Sequence, residues 1–326
     1  MSFDQAARAD ELDAARACFA RDLRESLTMR PKQVPSKYLY DDLGSQLFEA
    51  ICLLPWYRVT RAELALLRHH ARAMLGALDA PTSLVELGCG SGEKLAALIE
   101  AGGESIGEVQ LVDISPAALE MTERRVRQLG ADITHAHLAT YEDGLTLAAG
   151  HRAQSGPLAL LFLGSNIGNF DPPIRQDLLQ RMRRALRPGD ALLLGTDLVK
   201  SEREFMLAYD DPLQVTSAFN RNLLRRINDE LGGTFDLDAF THRAVWNAAD
   251  QRVEMHLVSG RRQVVAIPAA ELELAFEPGE SIWTESSYKY EPDQVRRFGE
   301  AAGFGSSTQW IDRDARFALT RFMVEA

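Results

Sequence analysis

From Leu64 onward, apolar positions alternate between helical spacing and short continuous runs. Runs such as SLVEL (83–87) and PLALLFLGS (157–165) are typical of strands buried on both faces, whereas PAALEMTERRVRQLG (116–130) has the spacing of an amphipathic helix. Helices and strands that alternate in this way predict a parallel sheet with right-handed crossovers and helices on both faces. The pattern therefore predicts a Rossmann-like α/β core.

The alternation breaks after Lys200. Residues 205–233 predict helices around a Pro-containing turn, and residues 243–267 alternate around NAADQ and SGRR, which predicts an antiparallel meander. A helix near 291–304 and a strand near 316–324 then restore the earlier pattern. We therefore expect a core made of 61–200 and 287–326, and a second α+β lobe made of 1–60 and the insertion 201–286.

The composition of the chain argues against several classes of protein, namely nucleic-acid-binding, disulfide-rich, zinc-binding and membrane-spanning proteins. The formal charge of −11 would repel a phosphate backbone, so no nucleic-acid partner is expected. The three widely spaced cysteines favour neither a disulfide framework nor a zinc knuckle. The chain has no apolar run of about 18 residues, so no membrane span is expected, and its first residues do not resemble a secretory signal. We expect a monomeric protein of the reducing cytoplasm.

The stretch SLVELGCGSGEK (83–94) joins the first core strand to a helix through three glycines, Gly88, Gly90 and Gly92. Glycine in the first strand-to-helix loop of such a sheet lets a ligand approach the main chain. The spacing G-x-G-x-G with Glu86 before it resembles motif I of S-adenosylmethionine-dependent methyltransferases, whereas a dinucleotide expects G-x-G-x-x-G. Asp113, 21 residues after Gly92, suits the ribose of either cofactor. A nicotinamide-dependent oxidoreductase and a glycine turn without a ligand remain alternatives.

Further segments narrow the resemblance. The chain resembles the histidine Nα-methyltransferases of ergothioneine biosynthesis from about residue 30 to its end, in the segments PSKYLYDDLGSQLFEAICLLPWYRVTRAE, VELGCGSGEK, FLGSNIGNFDP, LGTDLVK, AYDDPLQVTSAFNRNLL and WTESSYKY. The resemblance implies a methyltransferase core with a second α+β lobe that binds the substrate. It also implies three successive methyl transfers from S-adenosylmethionine to the α-amine of L-histidine, which give hercynine.

The same resemblance implies the site residues. Those expected at the cofactor are Glu86, Gly88, Gly90, Lys94 and Asp113. Those expected around histidine are Tyr57, Asn169, Tyr209, Met255, Glu285 and Ser287, with Tyr40 near the amine and Tyr40 and Asn169 as catalytic candidates.

Residue chemistry is compatible with these roles, and each has an alternative. A carboxylate such as Glu285 beside a hydroxyl such as Ser287 can orient an imidazole, but the same residues suit an ordinary strand end. Asn169 can bind an amine and a carboxylate, or it can cap the helix that follows Pro172. Tyr40, Tyr57 and Met255 also suit a core or an interface.

Other chemistries have weaker support. The pairs His69-His70 and His135-x-His137 lack a recognised ligand spacing, so no metal is expected. Cys89 suits a tight turn through its small size better than it suits a reactive thiol. Two further functions remain open: methylation of another amino acid or small amine, and cofactor binding without catalysis.

Overall fold

The computed structural model describes residues 3–76, 78, 81–103, 106–131, 133–152 and 156–325. The helices are α1 (Phe3–Ser26), α2 (Asp42–Leu53), α3 (Val59–Leu75), α4 (Glu93–Gly102), α5 (Pro116–Gln128), α6 (Tyr141–Gly150), α7 (Pro172–Ala185), α8 (Glu202–Tyr209), α9 (Val215–Leu231) and α10 (Pro292–Ala302). The strands are β1 (Lys32–Gln33), β2 (Thr82–Leu87), β3 (Ile106–Asp113), β4 (Ile133–Leu138), β5 (Leu158–Phe162), β6 (Ala191–Asp197), β7 (Phe240–Asn247), β8 (Arg252–Ser259), β9 (Gln263–Ile267), β10 (Leu272–Phe276), β11 (Ser281–Tyr288), β12 (Ser307–Asp312) and β13 (Phe317–Met323). Within the described residues, no helix combines the length and apolar composition that a membrane crossing requires.

The chain divides into two compact units. The α/β unit consists of Cys52–Ser201, Ala248–Arg252 and Ser287–Ala326. The α+β unit consists of Met1–Ile51, Glu202–Asn247 and Val253–Ser286. Residues 52–60, which the sequence grouped with the second lobe, lie in the α/β unit.

A seven-stranded sheet organises the α/β unit, in the order β12-β13-β6-β5-β2-β3-β4. Strands β2 to β6 pair in parallel, while β13 pairs antiparallel with both β6 and β12. The predicted Rossmann-like α/β sheet is thus confirmed. The strand order reverses between β2 and β5, and ligands of open α/β sheets bind beyond the carboxyl ends of the strands at such a reversal.

Local signals in the sequence place the helices that follow the strands. The Ser115 side chain accepts a hydrogen bond from the Ala118 amide at the start of α5, where Pro116 takes the first helical position. Thr140 caps α6 in the same way, by accepting from the Asp143 amide. Strands β2, β5 and β6 are buried along their whole lengths, so both faces of these strands are covered by packed side chains.

The α+β unit contains a four-stranded sheet in the order β1-β11-β8-β7 and a separate antiparallel pair, β9 and β10. The predicted three-stranded meander is therefore wrong for β9. Strand β8 lies between β11 and β7, so both of its hydrogen-bonding edges are occupied and β9 pairs with β10 instead.

Two strands of the large sheet were not predicted, β4 and β12. Both lie at sheet edges, where polar side chains are tolerated and the apolar signal is weak. His135 and His137, the pair without a recognised ligand spacing, belong to β4. The His137 ring is buried, and its Nε2 lies 3.3 Å from the side-chain oxygen of Gln110 on β3.

Candidate active site

The glycine loop between β2 and α4 has three residues in the left-handed region, with φ of +77° at Gly88, +53° at Gly90 and +71° at Gly92. The three glycines have different surroundings. A Cβ on Gly92 would lie 2.8 Å from the side chain of Thr122 on α5, so helix packing requires this glycine. A Cβ on Gly90 would meet no atom within 4 Å, so the main chain there is open to an approaching ligand.

Gly88 lies at the crowded base of the loop. Its amide donates to the Val112 carbonyl at 2.7 Å, which ties the loop to the end of β3. A Cβ on Gly88 would lie 3.0 Å from both Asn166 Nδ2 and the Tyr141 hydroxyl. Sequence reasoning did not single out Asn166 or Tyr141, because they come from two other strand-to-helix connections.

Asp113 ends β3 and fastens the glycine loop. Its Oδ2 accepts from the Gly90 amide at 3.1 Å, and its Oδ1 accepts from the Ser115 amide at 2.9 Å. The Cys89 thiol, a weak donor, also lies 3.8 Å from Oδ2, and a ribose hydroxyl is a stronger donor that can take this position on the carboxylate. Burial raises the pKa of Asp113, although the backbone hydrogen bonds oppose this. Burial and the nearby Asp113 also raise the pKa of Cys89, so its thiol stays protonated and is a poor nucleophile.

Glu86 is the buried acid next to the end of β2, with 1% of its surface exposed. Burial raises its pKa to about 8, although Lys94 acts in the opposite direction. Glu86 is therefore mostly protonated at neutral pH. Among the described residues, none hydrogen bonds to its Oε2. A buried oxygen in this state suits a ligand that carries a hydrogen-bond donor or a positive charge.

Lys94, in the first turn of α4, forms an ion pair that the sequence did not predict. Its Nζ lies 3.0 Å from Oε2 of Glu63 on α3, and Glu63 is fully buried. The amide of Gly164, just beyond β5, donates to both Glu63 oxygens at 3.0 and 2.9 Å. Burial disfavours the charge of Lys94, but Glu63 raises its pKa above the usual value. Lysine has three donors, so this anchored Lys94 can also bind a second acceptor.

The α/β unit contributes three of the predicted substrate residues. Tyr57 is buried and precedes α3. Asn169 is half-buried at the end of a short 3₁₀ turn (Asn166–Asn169) after β5. The residue at the N-cap of α7 is Asp171, so the alternative of Asn169 as the helix cap is wrong. Ser287 is buried near the end of β11.

A group of buried charges lies at the end of β6, around Asp197. Lys200 Nζ lies 2.7 Å from its Oδ1, and Lys289 Nζ lies 3.0 Å from its Oδ2. Burial alone would raise the pKa of Asp197, but the two lysines hold it below its usual value. Lys289 Nζ also donates to Ser287 Oγ at 2.8 Å, so this charge group contacts a predicted substrate residue.

In the α+β unit, Tyr40 ends a short 3₁₀ helix (Ser36–Leu39). Its ring makes edge contacts with Phe48 and Phe219, at centroid distances of 5.5 and 5.4 Å. The next residue, Asp41, accepts from Asn222 Nδ2 at 2.6 Å and from Arg225 at 2.8 Å. Asp41 thereby fixes the segment that carries Tyr40 to helix α9.

A neutral hydrogen-bond network connects Tyr209 with Met255. His242 Nε2 donates to the Tyr209 carbonyl at 2.8 Å, so His242 Nδ1 is an acceptor, and Asn220 Nδ2 lies 2.9 Å from it. The Thr284 hydroxyl lies 2.7 Å from Asn220 Oδ1 and 3.0 Å from the Met255 carbonyl. Burial lowers the pKa of His242, which keeps it neutral. The network fixes the backbone at both predicted substrate residues.

Glu285 follows Thr284 on β11 and is half-buried. Since successive side chains of a strand point to opposite faces, Glu285 projects from the face opposite to the buried Thr284. The Glu285 carbonyl accepts from Trp283 Nε1 at 2.8 Å, and this bond fixes the local strand.

Comparisons with known proteins add the family. A model of a family described as histidine-specific, SAM-dependent methyltransferases matches residues 19–324. The chain belongs to this family. It is 39% identical to a histidine N-alpha-methyltransferase of Mycobacterium tuberculosis and 38% identical to one of Mycolicibacterium smegmatis, and each match covers 94% of this chain and 95% of the relative. It is 28% identical to ergothioneine biosynthesis protein 1 of Neurospora crassa, over 94% of this chain and 36% of that protein.

The family is dependent on S-adenosylmethionine, which is therefore the cofactor of this protein. Two observations show that the loop fits it: the open side of Gly90, and the buried Glu86 with an unbonded oxygen. No group of three or more His, Cys, Asp or Glu side chains in the described part of the chain is arranged to hold a metal ion.

The sequence analysis missed the residues that contact or support the predicted site residues. They are Glu63, Asp197, Asn220, His242, Thr284 and Lys289. Glu63 had a local signal, because a glutamate stands in the apolar face of α3. Asp197 and Lys289 stood in the segments LGTDLVK and WTESSYKY that carried the family resemblance, but no residue chemistry linked them.

Proposed function

We propose that the protein transfers methyl groups from S-adenosylmethionine to the α-amine of L-histidine, in three rounds that give hercynine. The observation that carries this proposal is the family match over residues 19–324. The 39% identical relative that is named for the same activity supports it.

S-adenosylmethionine supplies a methyl group on a sulfonium, which leaves as a neutral thioether. We assign its binding to the glycine loop at Gly88 and Gly90, with Asp113, Lys94 and Glu86 beside it. The open main chain at Gly90 allows close contact, and the carboxylate of Asp113 can accept from hydroxyls. Protonated Glu86 can donate one hydrogen bond, or it can lose its proton when a cation binds beside it.

The residues of this chain then position histidine. We assign Glu285 and Ser287 to the imidazole, because a carboxylate accepts from a ring N–H and a hydroxyl completes the pattern. Asn169 can bind the amine and the carboxylate at once. Tyr57, Tyr209 and Met255 are assigned to the surrounding wall. Holding the amine in line with the methyl group is the main catalytic contribution expected of them.

The amine must lose its proton before each transfer. An α-amine titrates at about 8 in model peptides, so much of it is protonated at neutral pH. We assign Tyr40 to this step, because its phenol can accept a hydrogen bond from the amine directly or through water. After the third transfer the nitrogen has no lone pair, so the reaction stops at the trimethylated product.

Incubation of the pure protein with histidine and S-adenosylmethionine, followed by mass spectrometry, tests the proposal. We expect product masses that correspond to one, two and three added methyl groups. No gain in mass on histidine would reject the substrate, and a gain on another amino acid or small amine would identify the alternative acceptor. Thermal stabilisation by NAD but not by S-adenosylmethionine would indicate an oxidoreductase. Sedimentation of the same sample tests the expected monomer.

A second experiment tests the site. Glu285→Ala should weaken histidine binding far more than cofactor binding, because the imidazole loses its charged acceptor. Titration calorimetry with each ligand separately measures both affinities. Equal losses for the two ligands, or no loss, would remove Glu285 from the substrate site.

A further inference from the structure

The short turn that carries Asn169 has a backbone conformation that its own sequence does not favour. The turn (Asn166–Asn169) follows β5 through Gly164 and Ser165, whose φ angles are +74° and +61°. Serine is uncommon in this left-handed region, and a residue stays there only when the surrounding structure fixes it. Contacts from outside the turn must therefore hold it in place.

Tyr290 makes one of these contacts directly with the turn. It is buried, and its hydroxyl donates to the Ile167 carbonyl at 3.3 Å. Its main chain is bonded to the end of β6, because its amide donates to the Asp197 carbonyl at 3.2 Å and its carbonyl accepts from the Val199 amide at 3.0 Å. Burial raises the pKa of Tyr290, so the phenol keeps the proton that its bond to the turn requires.

Tyr288 makes the second contact, at Asp171, the N-cap residue of α7. A guanidinium can only donate, so the buried Tyr288 hydroxyl accepts from Arg252 at 2.6 Å and donates its single proton to Asp171 Oδ1 at 2.8 Å. The direction of both bonds is therefore fixed. Burial and the bond to Asp171 raise the pKa of Tyr288 to about 12. The Tyr288 carbonyl also lies against the turn, since a Cβ on Gly168 would approach it to 2.8 Å.

We propose that Tyr288 and Tyr290 are positioning residues, which hold the chain at Ile167 and Asp171, two residues before and two residues after Asn169. All of these residues belong to the α/β unit. The inference rests on the proposed function, in which Asn169 binds the amine and the carboxylate of the substrate. A turn that is already ordered adds no ordering cost to substrate binding, whereas a loosened turn lowers the apparent affinity by the fraction of time it spends in the binding conformation.

Titration calorimetry on the full chain tests the proposal, with histidine and with S-adenosylmethionine separately. Tyr288→Phe and Tyr290→Phe each remove one hydroxyl and keep the packed ring. We expect each variant to weaken histidine binding about 5-fold, the size of one oriented hydrogen bond, and to keep the affinity for S-adenosylmethionine within about 2-fold. In an Asn169→Ala background, each tyrosine variant should add less than about 2-fold, because the tyrosines act through Asn169.

Thr196 provides a matched control for Tyr290. Its hydroxyl is also buried and also donates to a main-chain carbonyl at 3.3 Å, but the acceptor is Ala318 on β13 and not the turn. Thr196→Val and Tyr290→Phe should lose similar stability, measured by urea denaturation. Only the tyrosine variant should weaken histidine binding, and Thr196→Val should keep this affinity within about 2-fold.

The outcomes separate the positioning role from the proposed function. Equal losses of histidine affinity in Thr196→Val and Tyr290→Phe, unchanged affinity in both tyrosine variants, or effects that simply multiply with Asn169→Ala would overturn the positioning role. A wild-type protein that does not methylate histidine would reject the proposed function instead. Should a tyrosine variant not fold, Asp171→Ala takes its place with the same expectations, because it removes the bond to Tyr288 from its exposed end.

Discussion

The two units hold their buried polar side chains by different means. In the α/β unit, oppositely charged side chains form ion pairs: Glu63 with Lys94, and Asp197 with Lys200 and Lys289. In the α+β unit, one buried group is instead neutral: the hydrogen-bonded chain of Thr284, Asn220 and His242, of which Thr284 and Asn220 are buried. There, ion pairs such as that of Asp41 with Arg225 involve a partly exposed arginine.

Buried ion pairs and neutral hydrogen-bond networks respond differently when one side chain is removed. Removing one partner of a buried ion pair leaves an uncompensated charge, which is among the most destabilising single changes. A neutral network loses only hydrogen bonds, and its main contribution is to orient the groups it contacts. We therefore expect charge removal in the α/β unit to affect stability first, and changes in the α+β network to affect the substrate first.

The largest expected effect is that of Glu63→Gln. The variant leaves Lys94 without its carboxylate and weakens the acceptor of the Gly164 amide. We expect the free energy of unfolding to fall by about 3 kcal/mol, measured by urea denaturation. Glu123→Gln, which breaks the exposed pair with Arg127, is the control and should cost less than about 0.5 kcal/mol.

Removal of both charges sharpens this test. The double variant Glu63→Gln with Lys94→Met leaves no stranded ammonium, so it should recover part of the stability that the single variant loses. A double variant that is less stable than the sum of the single changes predicts would contradict the ion-pair explanation.

The second effect is a pH dependence from Glu86. Its pKa is about 8 in the folded protein, against a usual value of 4.5, so folding takes up a proton between these pH values. The stability it contributes is complete below about 4.5 and is lost as the pH rises towards 8. Relative to Glu86→Gln, the wild type should lose about 2 kcal/mol between pH 6 and 7.5, measured by urea denaturation without cofactor.

An exposed carboxylate provides the comparison for Glu86. Glu120→Gln should leave the pH dependence of the wild type unchanged, because Glu120 is exposed on α5. Parallel stability curves for the wild type and Glu86→Gln would show that the buried acid does not take up the proton.

The smallest effect is expected in the neutral network. Thr284→Val removes the hydroxyl that contacts Asn220 and the Met255 carbonyl, and we expect a loss of about 1 to 2 kcal/mol in the free energy of unfolding. The KM for histidine should rise severalfold while the KM for S-adenosylmethionine stays constant, since the network holds Tyr209 and Met255. Thr284→Ser keeps the hydroxyl and is the control. Equal changes in the two KM values would contradict an effect centred on the substrate.

Several features of the site could be predicted from local sequence, because they depend on neighbouring residues. The glycine loop is one example, since a strand, three glycines and a helix are contiguous in the chain. Even there, the reason for each glycine could not be predicted. Gly92 is required by Thr122, a residue 30 positions away, whereas Gly90 has an open side.

The sequence by itself determined the parallel part of the α/β sheet, the break in pattern after Lys200 and the glycine loop, because periodicity and turn chemistry act over a few residues. Only the tertiary structure decided which polar side chains support the site. Glu63 meets Lys94, Asp197 meets Lys289, and Thr284 meets Asn220 across 31 to 92 positions of chain. The partner of a buried charge or hydroxyl is set by which strand and helix ends the fold brings together, and that choice leaves no periodic trace in the sequence.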